Sequence, residues 1–274
     1  MSIPATIFHH LTVFGLSEQM SATLTSFGIF SGLFAVSYGY LSNNKRVQDL
    51  NRENREKLYI MLPSQVHALV VCVNALLIVL GSDNEVLLKD RMYGTTALAG
   101  WTHAFSCGYF LYDFVVVLMH LPVDMKFLLH AVVCGLAYWY AQNPLFQYYT
   151  IRFLLFELST PMLNIMSLAQ ILSWPKKWQT IVEKLFGACF VGCRLIYGLP
   201  MAIAFDRYLI DLFLQQQDPK TFSSNVPSSP MLAFCIFAIS SMAGLNVVWF
   251  LLALFGKKPA AHMPDKEDAQ RKSK

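Results

Sequence analysis

Apolar residues run along this chain in long unbroken blocks, and most of the charged residues gather between them. The blocks cover residues 21–41, 62–81, 96–119, 127–141, 148–172, 182–205 and 231–255. A hydrocarbon core roughly 30 Å thick needs about 20 helical residues to cross, and an unpaired backbone N–H or C=O inside it costs several kcal/mol. The pattern therefore predicts an all-α transmembrane fold with seven spanning helices. The fourth block is short: about 15 residues reach about 22 Å at 1.5 Å per residue. It must draw on residues 122–126, thin the bilayer or be shielded by neighbours.

The loops between the blocks then predict orientation. Loop one carries Lys45, Arg46, Arg52, Arg55 and Lys57; loop three Lys126; loop five Lys176 and Lys177; and the tail Lys257, Lys258, Lys266, Arg271, Lys272 and Lys274. The N-terminal segment and loop four carry no Lys or Arg, loop two carries Lys89 and Arg91, and loop six Arg207 and Lys220. Positive-inside bias places the odd loops and the tail in the cytosol and the N-terminus in the lumen, an arrangement that seven spans satisfy and six or eight do not. Residues 218–230, rich in Ser and Pro, read as a lumenal loop. The tail after Gly256 reads as disordered.

Composition sharpens this picture. Hydrophobic residues are 55% of 274 and charged residues 14%, against about 25% charged in a soluble domain. The net charge of +4 resides in loops and tail, which argues against nucleic acid as a partner. Cys72, Cys107, Cys134, Cys189, Cys193 and Cys235 all fall inside apolar blocks without a C-x-x-C pair, so they read as reduced hydrophobes with no disulfide framework and no zinc site. No cleaved signal peptide is expected, and the first block serves as the insertion signal. Arg271 and Lys272, fourth and third from the end, resemble a dibasic retrieval signal of the endoplasmic reticulum; an ordinary basic tail is the alternative.

Ionisable groups at membrane depth cost at least about 2.5–3.5 kcal/mol each on insertion scales and so mark candidate functional positions. They are His67 and Asn74 in the second block, His103, Asp113 and His120 in the third, His130 in the fourth, Arg152, Glu157 and Asn164 in the fifth, Arg194 in the sixth and Asn246 in the seventh. Tyr109, Asp113 and His120 share one helical stripe, and Glu157, Thr160, Pro161 and Asn164 another. Both stripes are expected to face inward, where the carboxylates meet Arg194 or a histidine. Arg152 lies about 140° from Glu157 around the helix and is expected to snorkel to the interface. The bland reading is that Asp113, Glu157 and Arg194 pair to fix helix register and the histidines are satisfied hydrogen-bonders. Pro161 and Pro200 are expected to kink their helices. The aromatics Tyr138-Trp139-Tyr140 and Trp174 with Trp178 read as belt residues.

Four strings in order carry a specific likeness: Gly108-Tyr109-Phe110-Leu111-Tyr112-Asp113, Leu129-His130-Ala131-Val132, Phe156-Glu157-Leu158-Ser159-Thr160-Pro161-Met162-Leu163-Asn164, and Cys193-Arg194-Leu195. Together they resemble the TLC domain, which groups ceramide synthases, translocon-associated membrane proteins, a cargo receptor of the endoplasmic reticulum and the TLC-domain-containing proteins proper. The E-x-S-T-P-x-x-N string points to the last subgroup. The resemblance implies a six-helix TLC barrel formed by spans 2–7 around a lipid-accessible interior, preceded by one extra helix. It implies residues 1–58 as lumenal N-terminus, first transmembrane helix and cytosolic loop, 59–256 as the TLC domain, and 257–274 as a disordered basic cytosolic tail. Ceramide synthases carry a His-His pair where this chain has Leu129-His130. At their acyl-transferring His-Asp pair this chain has Phe156-Glu157, and Phe156 is neither nucleophile nor base.

The leading expectation is a multi-pass membrane protein of the endoplasmic reticulum with a lipid-binding and lipid-homeostasis role, leaning away from an enzyme. His67, His103, Tyr109, Thr160, Asn164 and Arg194 are the candidate lipid-binding residues. The alternatives are an acyl-lipid-modifying enzyme with catalytic His130, Glu157 and Asp113, drawing on acyl-CoA, and a cargo receptor that meets trafficking machinery through its tail. No cofactor or metal is expected, and homo-oligomerisation is compatible with the sequence. Rhodopsin-like receptors are disfavoured by the absence of D-R-Y and N-P-x-x-Y strings, and membrane di-iron enzymes by the absence of histidine boxes.

Overall fold

The computed structural model describes residues 17–120, 122–217 and 226–255. The described chain forms α1 (Glu18–Ser42), α2 (Arg52–Leu80), α3 (Ala97–Met119), α4 (Met125–Ala141), α5 (Gln147–Ile171), α6 (Lys176–Gln217) and α7 (Ser229–Phe255). Short helices Lys45–Gln48 and Asp83–Lys89 occupy the first two loops. The starts are written in the sequence: Ser17, Asn51, Thr96 and Asp124 accept hydrogen bonds from the first-turn amides of α1, α2, α3 and α4. All but α4 are long and apolar enough to cross a membrane. The 17 residues of α4 reach about 25 Å, drawing in Met125 and Lys126 beyond the apolar block. The basic tail, the N-terminal 16 residues and most of the expected loop at 218–230 lie outside the described residues.

In space, α2 packs on α3, α3 on α4, α4 on α7, α7 on α6, α6 on α5 and α5 back on α2. A six-helix ring results, with α1 laid against α3 and α2 from outside. The α1–α3 crossing is unusually close. A Cβ added at Gly108 would sit 2.5 Å from the Thr23 carbonyl oxygen and 2.7 Å from the Phe27 nitrogen, so only glycine admits α1 here. Ser26 then donates to the Phe105 carbonyl at 2.7 Å and Thr23 to Gln142 Oε1 at 3.1 Å. Phe30 fills the space beneath, buried among Phe105, Tyr109 and Tyr112.

Two helices depart from α geometry, each just before its proline. In α5, Leu155–Ser159 forms a 3₁₀ turn ahead of Pro161, which has no N–H for the Glu157 carbonyl; the Thr160 amide takes that carbonyl instead. In α6, Val191–Tyr197 forms a π stretch ahead of Gly198 and Pro200. Phe190, Arg194, Gly198 and Ala202 are all buried at a strict spacing of four, wider than the 3.6 of an α-helix, and the π stretch keeps them on one face. The irregular turns meet through Phe156, whose ring edge lies where a Gly198 side chain would begin, 2.4 Å from its ideal Cβ.

Two expectations about the ends of the spans need correction. Tyr138 is not a belt residue: it is 7% exposed and stacks on Phe110 and His103, whereas Trp139 and Tyr140 are exposed. Arg152 does not reach to water. It is 6% exposed, donates to the Tyr148 carbonyl at 2.6 Å and to Asn84 Oδ1, and its guanidinium lies 3.6 Å above the Tyr148 ring. The short helix Asp83–Lys89 supplies Asn84 and so gives a buried cation the acceptor it needs.

Candidate functional site

Within the ring lies a slot of about 100 Å³ between α4, α5, α6 and α7. Along α4 its lining runs from His130 to Ala141, about 16 Å of helix at 1.5 Å per residue. Most of the wall is apolar: Phe110, Val133, Ala137, Tyr138, Phe153, Phe156, Phe205, Ala238, Ile239 and Met242. Glu157, Arg194, Asn246 and His130 gather at the end nearer the Lys- and Arg-rich loops. Aromatic pairs join α4 to α7 at both ends of the slot, Tyr140 with Phe234 at 5.7 Å between centroids and Phe127 with Trp249 at 6.0 Å.

The polar end is held by the two irregular turns. The π stretch carries Arg194, 8% exposed, inward. Its Nε donates to Ser159 Oγ at 3.0 Å and its Nη1 to Asn246 Oδ1 at 2.9 Å, while Phe190 and Trp249 flank the guanidinium at 5.4 and 5.6 Å. The 3₁₀ turn carries Glu157, whose Oε2 accepts from Thr160 Oγ1 at 2.6 Å. Arg194 Nη2 and Glu157 Oε1 then face each other at 3.9 Å, an ion pair too long for a direct hydrogen bond. Each of these two atoms lacks a hydrogen-bond partner among the described residues. A donor is left beside an acceptor at the wall of an apolar slot.

His130 lines the same end, its ring held edge-on by Phe110 at 5.4 Å and Trp249 at 5.6 Å, with Nδ1 3.6 Å from Cys134 Sγ. Glu157 lies within electrostatic reach of His130, His67, Asp113 and Arg194 and is the hub of the buried charges. The remaining candidates stand around this centre. His67 is fully buried against the Tyr109 ring, 3.8 Å between centroids, with neither nitrogen hydrogen-bonded among the described residues. Asn164 donates to Gln65 Oε1 at 2.9 Å and Ser64 Oγ at 3.3 Å on α2. Asp113 is half-buried on α3 without an ion pair among the described residues. His103 is elsewhere, bonded to Thr150 Oγ1 at 2.9 Å toward the opposite end of the ring. His120, despite sharing a stripe with Asp113, caps α3 at the surface and lies 3.6 Å from Glu56.

The sequence reading expected both carboxylates to meet Arg194 or a histidine; the structure sets Glu157 beside Arg194 and His130 at the slot and leaves Asp113 outside its lining, and three partners had been left unassigned: Ser159, Asn246 and Cys134. Asn246 was visible as a polar residue in an apolar block, and Cys134 is one helical turn from His130. Neither could be joined to Arg194 or the slot without the π stretch and the order of the ring. Among the described residues no three His, Cys, Asp or Glu side chains are grouped so as to hold a metal ion.

A family model described as TLC domain matches residues 60–254. Over 180 residues the chain is 30% identical to TLC domain-containing protein 4-B of Danio rerio, covering 65% of this chain and 59% of that one. Over 77 residues it is 31% identical to an uncharacterized TLC domain-containing protein of Schizosaccharomyces pombe, covering 28% of this chain and 27% of that one. The matches thus span less than two thirds of either curated relative. No solved structure matches the chain at a significant level.

Proposed function

The chain belongs to the TLC domain family, and on that premise we propose that this multi-pass membrane protein binds an amphiphilic lipid in its slot and acts in lipid homeostasis. The observation that carries the reading is the division of the slot. A wall of Phe, Ile, Val and Met about 16 Å long suits an acyl chain, and the unbridged pair of Arg194 Nη2 and Glu157 Oε1 suits a head-group hydroxyl or amide that accepts from one and donates to the other. Burying these groups without such a guest is costly, so a bridging polar group is stabilised by both. The loop charges support an N-terminus in the lumen and a C-terminus in the cytosol.

The test is to purify the protein in mild detergent and measure retained lipid by mass spectrometry. Wild type should carry a stoichiometric amphiphile, and Ala238→Trp, which fills the slot between α4 and α7, should lose it while keeping its melting temperature. A wild type that retains nothing, or a filled slot that retains as much, overturns the reading.

A further inference from the structure

Arg152 is buried in the second turn of α5 with hydrogen bonds made and its charge left over. Its guanidinium donates to the Tyr148 carbonyl and to Asn84 Oδ1, both neutral, and it forms no ion pair among the described residues. Acids are at hand. Asn84 stands between Asp83 and Glu85 on the short helix Asp83–Lys89, and the neutral amide is the one turned to the guanidinium. Asp90, the remaining acid of that loop, spends Oδ1 on the Met92 and Tyr93 amides. A second cation comes to the same ring: Arg91 Cζ lies 5.0 Å and Arg152 Cζ 3.6 Å from the centre of Tyr148. Arg91 is exposed and likewise forms no ion pair among the described residues. Asn84, Arg91, Tyr148 and Arg152 all lie outside the lining of the slot.

We propose that Arg91 and Arg152, which share the Tyr148 ring, form an oxyanion site at the loop-two end of the helix ring, and that it takes a phosphate group. The two guanidiniums are within electrostatic reach of each other and repel. The quadrupole of the tyrosine offsets part of that repulsion, and an anion placed between the cations turns the remainder into attraction. A guanidinium presents its N–H groups as a planar fork that matches two oxygens of a phosphate. Arg91, exposed on the loop, offers that fork to an incoming anion, and Arg152 adds charge from beneath. The Tyr148 carbonyl and Asn84 hold Arg152 in orientation without neutralising it. An Asp or Glu in the place of Asn84 would do the same structural work better and would cancel the field.

Depth fits the guest. Arg152 lies about 8 Å along the axis from the first residue of α5, close to the membrane–water boundary, where lipid phosphates lie. A lipid head group and a free phosphate present the same oxygens to this pair, and the site stands or falls independently of the slot.

The full chain is melted in detergent with inorganic phosphate against chloride at matched ionic strength, and in phosphatidylcholine nanodiscs with and without phosphatidate. The expected result is a rise of the wild-type unfolding temperature with at least one of the two probes. A rise with phosphatidate alone identifies a lipid head group, and a rise with inorganic phosphate identifies a soluble anion. Arg91→Gln, a change at the exposed member, should weaken the apparent affinity by at least about tenfold. Asn84→Asp supplies Arg152 with an internal counter-ion, so it should raise the melting temperature without any anion and abolish the response to both probes. A wild type that responds to neither probe overturns the site. So does a response that Arg91→Gln and Asn84→Asp leave unchanged, because the anion then acts at other cations of the chain.

Discussion

Replacing Arg194 by Met removes one half of a buried ion pair and leaves the other in place. At 3.9 Å and an effective dielectric constant of about 20, the attraction between Arg194 and Glu157 is about 4 kcal/mol, in line with the 3–5 kcal/mol lost when one partner of a buried pair is removed. The side chains are 9% and 14% exposed, so solvent screens little of it. Ser159 and Asn246 also lose their charged partner. Glu157→Gln strands the guanidinium and should cost a similar amount. The double variant carries neither charge and should be more stable than either single one, lying within about 1–3 kcal/mol of wild type for the polar groups left unpaired. Unfolding midpoints in SDS-titrated bicelles, read from the fluorescence of Trp249 beside the guanidinium, give all four corners of the cycle. Additive losses in the double variant would refute the coupling and return Arg194 to a local role with Asn246.

Gly108→Leu drives a side chain into the α1 backbone and should cost at least about 1–3 kcal/mol, with α1 released as judged by loss of a disulfide engineered between α1 and α3. Thr150→Val leaves buried His103 Nε2 without its partner and should destabilise the fold by about 1–3 kcal/mol, read as a lowered unfolding midpoint. Asp124 caps α4 and lies 3.0 Å from Lys126; slight burial pushes its carboxyl up, but the hydrogen bonds and charge of Lys126 outweigh this and hold it below 3.8. Its contribution is therefore full above pH 3.8 and lost as pH falls through the lower folded value, and Asp124→Ala should remove that acid sensitivity in pH-dependent melts together with about 1 kcal/mol of capping.

The fold was legible because a membrane leaves the backbone few options. The apolar blocks located the helices to within a few residues at most ends, although α2 and α6 extend well past the blocks that announced them. The stripe on α5 correctly aimed Glu157 at Arg194. The failures share a cause, which is that sequence spacing assumes an ideal helix and an isolated one. His120 follows Asp113 by seven residues yet lies at the surface, because α3 ends there and Glu56 meets the ring. Arg152 was expected at the interface because it lies about 140° around the helix from Glu157; its acceptors are the Tyr148 carbonyl one turn away and Asn84, 68 positions away. Tyr138 lies near a helix end, where aromatic residues commonly face the interface, but the close packing of α4 on α3 turns it inward onto Phe110. The neighbourhood of Cys134 and His130 needed no long-range information, only attention to a thiol one turn from an imidazole.

The wide turn in α6 carries a surplus residue. Without it, the twelve steps from Phe190 to Ala202 would close three and a third turns of an ordinary helix, and the two residues would point about 120° apart. Both face the interior because the extra residue takes up that phase difference. Removing one codon, for instance Gly192, would leave a smoother and still amply long helix, and swing everything on one side of the cut by about 100° relative to the other. The guanidinium or the Phe205 wall would then face lipid. Hydropathy would register no change in such a protein, and its reading frame and length would look ordinary, yet the slot would have lost one of its walls.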